Sequence, residues 1–150
     1  PSREADFIDL YIFKKRKQTD IAAIFGVSQP TVSYRLKRAE ARIRYLIELP
    51  VIADGELDRM LEQVLDDPLD IRIMVLMHET TCQSEVAKQL GVSQGLVRHR
   101  FIRAIGKLEK VEGYEKYVQL FQFVYQNLNI LREVQRPQWN ATVTHMLGTR

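Results

Sequence analysis

Two sets of side chains in this 150-residue chain have the types and spacing to meet an array of hydrogen-bond donors and acceptors. Gln29, Ser33, Tyr34 and Lys37 recur at roughly one-turn intervals in one helical stretch, and Gln94, Arg98 and His99 recur in another. The major groove of DNA displays such an array on the edges of its base pairs. Arginine can bond bidentately to guanine and glutamine to adenine, so Arg98 suits guanine while Gln29 and Gln94 suit adenine. Around these sets lie groups for a phosphate backbone. Lys14, Lys15, Arg16, Lys17, Arg35, Arg38, Arg42, Arg100, Arg103 and Lys107 could neutralise phosphates. Thr19, Ser28, Thr31, Ser84 and Ser93 stand near helix starts, where hydroxyls and free N–H groups bond anions.

Such side chains need a helix held at its base by another helix. The segment 19–39, TDIAAIFGVSQPTVSYRLKRA, has that form. Thr19 or Asp20 can cap a short helix over 20–25, with Ile21, Ala22, Ile24 and Phe25 as its apolar face. Gly26 stands where the chain must leave that helix with positive φ. Val27 plugs the turn, and Ser28 caps the next helix, with Pro30 in its first turn. That helix is expected over 29–48, with Val32, Leu36, Ala39 and Ile43 on its inner stripe. Gln29, Ser33, Tyr34 and Lys37 fall largely off the stripe.

The chain then repeats itself. Residues 84–104, SEVAKQLGVSQGLVRHRFIRA, align at a constant offset of 65 with nine identities in 21 positions and no gap. Self-similarity of that kind marks a duplicated structural unit. The flanks fit the same plan. Helices are expected over 3–15, 56–66, 69–79, 84–90, 94–111 and 114–133, with a short helix or tail at 138–147 around Trp139, Val143, Met146 and Leu147. The fold class is therefore all-α: two tandem four-helix repeats, 1–66 and 67–133, each containing a helix-turn-helix, then a C-terminal tail, 134–150. Helix 114–133 carries two apolar faces, one of them Leu120, Phe123 and Ile130. They suit either packing between the repeats or a homodimer through residues 114–147.

Net charge is only +3, yet residues 14–47 hold nine Lys/Arg against Asp20 and Glu40, and residues 48–70 hold eight Asp/Glu against Arg59. Cations return at 98–110. Two basic blocks divided by an acidic one imply two polyanion-facing surfaces. The first block is the more basic. The second recognition stretch has Gly95, Leu96 and Ile102 in outward positions, so if one module alone reads DNA, it is the first.

Other chemistries find no support in the residues. His78, His99 and His145 are scattered, His78-Glu79 lacks the second histidine of a zinc motif, and the glycines form no phosphate loop. No catalytic group, metal or cofactor is expected. The lone Cys82 cannot make an internal disulfide, which suits a reducing cytosol. No run of about 18 apolar residues indicates a membrane span. The chain begins at Pro1, which reads as a piece of a longer protein.

The run VSYRLKRAEARI (32–43) after DIAAIFGVSQPT resembles the DNA-binding region 4 of sigma-70-type factors, especially the extracytoplasmic-function kind. VRHRFIRAIGKL (97–108) after SEVAKQLGVSQG resembles the same module, and both are similar to LuxR-type segments. The resemblance covers about 30 residues in each repeat; two modules in tandem, with no promoter-melting region 2, depart from a standard sigma factor. It implies a bacterial or phage protein, cytoplasmic and nucleoid-associated, that regulates transcription by binding double-stranded DNA. A sigma-like module that docks on RNA polymerase or another regulator, and the DNA-binding arm of a recombinase or transposase, are the alternatives.

Overall fold

The computed structural model of the chain describes residues 2–132. Their regular elements are all helices, without a strand among them. The order is α1 (Ser2–Ile8), continued by a π-helical turn (Asp9–Phe13), α2 (Gln18–Phe25), α3 (Gln29–Glu48), α4 (Glu56–Glu62), α5 (Pro68–Thr80), α6 (Gln83–Leu90), α7 (Gln94–Glu109) and α8 (Glu115–Gln126). The expected helix or tail at 138–147 lies outside the described residues. None of the described helices is long and apolar enough to cross a membrane.

The residues fall into two compact units, which meet along the chain between Arg44 and Tyr45. In the first, Phe7, Ile21, Ala22 and Val32 are buried together, with Leu10, Phe25, Val27 and Leu36 packed around them. Phe7 and Phe25 meet edge to face, centroids 4.6 Å apart. Glu4 is buried and bonded to Arg42 of α3 at 2.9 Å, which ties α1 to the middle of that helix. The first helix was expected to run unbroken over 3–15. Instead it widens into the π turn at Asp9 and ends with Lys15 in the left-handed region, φ 52°. Nor do Thr19 and Asp20 cap α2. The helix starts earlier, at Gln18, with Lys17 in the cap position and no side-chain cap bond.

The second unit is built on a larger core that includes Leu61, Ile73, Met74, Met77, Val86, Val97, Phe101, Leu108, Leu120, Phe121 and Val124. Asp67 caps α5 by accepting from the Leu69 N–H at 2.9 Å, with Pro68 in the first turn, where a missing donor costs little. The helix 56–66 of the expected first repeat ends at Glu62 and packs here. Leu57, Leu61 and Leu65 join the second core. Tyr114 donates to the Met60 carbonyl at 2.8 Å, and Tyr117 donates to Glu56 at 2.8 Å. The packing boundary therefore falls at 44/45, whereas the repeat places it at 66/67. Apolar burial, not sequence periodicity, chooses the partner of α4.

Helix α8 is also shorter than the expected 114–133. Asn127 folds its side-chain amide onto the Phe123 carbonyl at 2.9 Å, a local bond that competes with helix continuation. Asn129 then takes a left-handed φ of 67°. The chain that follows is held by Thr81, itself buried and left-handed at φ 54°. The Thr81 carbonyl accepts from the Asn129 N–H at 2.7 Å, and its hydroxyl oxygen accepts from the Leu131 N–H at 3.0 Å. Both apolar faces of α8 are used inside this unit. Tyr117, Leu120, Phe121 and Val124 are buried, and Phe123 stacks on Tyr45, centroids 5.0 Å apart and planes 7° apart.

Candidate nucleic-acid interface

Each module turns at a glycine. Gly26 has φ 66° and ψ 36°, and Gly91 has φ 66° and ψ 33°. A side chain would strain either position, because the left-handed region brings Cβ against the following carbonyl. The next residue closes the turn in both: the Val27 N–H reaches the Ala22 carbonyl at 2.9 Å, and the Val92 N–H reaches the Ala87 carbonyl at 3.1 Å. Ser28 and Ser93 then cap the longer helices, each hydroxyl accepting from the N–H three residues on, at 3.3 and 3.1 Å. Ser28 also bonds to the Thr31 hydroxyl at 2.8 Å.

The first module presents the sequence-predicted reading set outward. Gln29, Tyr34 and Lys37 are exposed on α3, and Ser33 is half-buried beside them. Lys14, Lys15, Arg16, Lys17 and Thr19 are exposed upstream. Lys14 pairs with Asp9 at 3.3 Å, but both side chains are more than half exposed, so the pair adds little stability. One residue escaped the reading of the sequence. Gln18 accepts a bond from the Gln29 amide at 2.6 Å, from the first residue of α2 to the first residue of α3. That bond orients Gln29 and brings the end of the basic run to the start of α3. The signal was present one position upstream of the aligned repeat, where Gln18 and Gln83 are also identical.

The second module differs in this detail. Gln94, Arg98 and His99 are exposed on α7, and Ser93 is exposed at its cap. The buried amide nitrogen of Gln83, however, finds no hydrogen-bond partner among the described residues. Ser84 sits half-buried, bonded to the Cys82 sulfur at 3.1 Å.

Several cations expected at phosphates are engaged within their own unit. Arg35 is buried, and Arg42 is bound to Glu4. Arg100 bonds to Asp67 at 2.8 Å and to Asp70 at 3.1 Å, and Arg103 reaches Asp70 at 3.4 Å. Asp70 is buried on α5, so its charge must be matched nearby. Asp67 is held below the ordinary carboxylate range first by the Leu69 N–H and then by the Arg100 guanidinium. Arg100 thus ties α7 to the start of α5. Arg35 is buried and Arg100 is ion-paired, so neither stands open for the phosphate contact expected of it. Arg38 and Lys107 are half-buried, and Arg103 keeps 46% of its side-chain surface open.

Among the described residues no group of His, Cys, Asp and Glu is placed to hold a metal ion. No known family, curated protein or solved structure matches this chain.

Proposed function

We propose that the chain is a sequence-specific double-stranded DNA-binding regulator of transcription, in which the first module leads the reading and the second adds a differently specified contact. The observation that carries this reading is the outward row Gln29, Tyr34 and Lys37 on α3, started by the Gln18–Gln29 bond and joined there by the basic run at 14–17. Lysines and arginines in that run would supply phosphate affinity, which is sequence-independent. The row on α3 would supply discrimination, each good bidentate contact being worth about 1–3 kcal/mol against a wrong base. In the second module Arg98 and His99 stand at the positions of Ser33 and Tyr34, so it would select other bases.

Selection of bound DNA from a random duplex pool, followed by titration with salt, tests the proposal. The expected outcome is a defined motif and an affinity that falls steeply with salt, because several counterions are released. Lys37→Ala is expected to weaken binding and lower the logarithmic salt slope by about 1 if Lys37 meets phosphate, or to relax one base position with little change of slope if it meets a base edge. Absence of DNA binding at low salt rejects the reading and favours a sigma-like module that docks on RNA polymerase or another regulator.

A further inference from the structure

We infer that the outer face of α7 is a self-association surface, where a second copy of this chain crosses antiparallel at Gly106. Gly106 lies inside α7, where glycine is the least favourable residue after proline. Its own unit gives no reason for it: a Cβ placed there meets no atom within 4 Å, and its φ is not in the left-handed range. The matching residue of α3 is Ala41. A missing Cβ on an open helix face allows another backbone to approach closely. The face also carries an exposed apolar side chain. Ile102 is 45% exposed, at the position of Lys37 in the first module. A groove of about 580 Å³ runs between α7 and α8, lined by Ile102, Ile105, Gly106, Glu109, Gln122 and Tyr125.

Charge selects the occupant and its direction. In an antiparallel crossing centred on Gly106, each residue faces the one equally distant on the other side of 106. Arg103 then faces Glu109 of the second copy, and the two-fold axis makes the same pair twice. Ile102 faces the aliphatic stem of Lys110; such a stem covers apolar surface while its charge stays in water. A parallel two-fold crossing would instead set Arg103 against Arg103 and Glu109 against Glu109. One patch that complements itself through a two-fold axis is the requirement of a closed dimer. Arg103 has reach for the pair, since it is half exposed and its bond to Asp70 is long at 3.4 Å. The inference does not depend on the DNA reading.

Sedimentation equilibrium of the whole chain tests it, together with cysteine cross-linking in a Cys82→Ser background. The expected result is a concentration-dependent dimer whose dissociation constant rises at least about tenfold in Ile102→Lys and in Gly106→Gln. Both variants should keep their helical circular dichroism; Ile102→Lys should keep its thermal midpoint and Gly106→Gln should keep or raise it, because neither side chain enters the core and glycine is the poorer helix residue. Gly106→Cys should form an interchain disulfide on mild oxidation, since the crossing holds the two Cα atoms within the roughly 4.4–6.8 Å that a disulfide spans. Glu112→Cys, displaced from the axis, should not. A monomer at every concentration up to about 100 μM, a dimer indifferent to both substitutions, or equal cross-linking at 106 and 112 overturns the proposal.

Discussion

At Gly26 and Gly91 the two modules make the same left-handed turn, and the same alanine carbonyl, four residues before each glycine, closes it. On the outer face of the helix that follows, Lys37 stands in one and Ile102 in the other. Seven of the nine identities sort by this division. Ala22/Ala87, Val32/Val97 and Ala39/Ala104 are buried in both units. The glycines turn the chain, the serines cap, Arg35 is buried and Arg100 is ion-paired. Of the positions proposed to read DNA only Gln29/Gln94 is shared, while Ser33, Tyr34 and Lys37 give way to Arg98, His99 and Ile102. The duplication preserves the residues that a packed helix pair demands and leaves the outward face free to diverge. That is the pattern expected if one framework carries two different recognition tasks.

The comparison can be broken first through the cores. Phe101 is fully buried and meets Phe121 edge to face at 6.0 Å, whereas its counterpart Leu36 is only half-buried. Phe101→Ala should cost about 3–5 kcal/mol of stability and Leu36→Ala about 2, at the low end for its type. Urea denaturation followed by circular dichroism, with hydrogen exchange to assign the loss to a unit, measures both. Equal losses would mean that the two inner faces are equivalent.

A smaller effect sharpens the difference between the two glutamine pairs. Gln18→Ala removes the partner of Gln29 and should weaken DNA binding by about 0.5–1.5 kcal/mol, the worth of an ordinary hydrogen bond. Gln83→Met removes a buried amide that has no partner, so thermal unfolding should be unchanged or raised. A stability loss of about 1 kcal/mol or more in Gln83→Met would erase the distinction.

The smallest effect concerns pH. Burial holds His78 of the second unit below its ordinary value near 6.5, against the opposing pull of Glu79. The folded state therefore favours the neutral imidazole, and stability should decline as pH falls below that of a free histidine, levelling off once His78 is protonated in the fold as well. Thermal midpoints between about pH 7 and 5 should fall in the wild type and flatten in His78→Gln. An unchanged slope in the variant would place the sensitivity elsewhere.

Much of the architecture could be read from the residues. Apolar spacing and the aligned repeat found the described helices, though not all of their bounds, and Gly26, Ser28 and Ser93 marked turns and caps that the fold uses. These are local effects, set by φ preference and capping. The misreadings share a cause. The end of α8 near Asn127 and the ion pairs of Arg100 depend on a competing local bond and on groups far along the chain. No spacing rule registers Asp70 thirty residues before Arg100, nor Thr81 fifty before Leu131.

The sequence by itself determined that this chain is helical, that it contains one helix-turn-helix pattern twice, and which polar residues leave the apolar stripe. Only the tertiary structure decided that α4 belongs to the second core, that Arg42 and Arg100 are ion-paired within their units, and that Gln18 holds Gln29. The physical reason is range. Backbone preference and side-chain period act within a few residues, whereas a buried charge or an exposed leucine face is satisfied by whichever group packing brings to it.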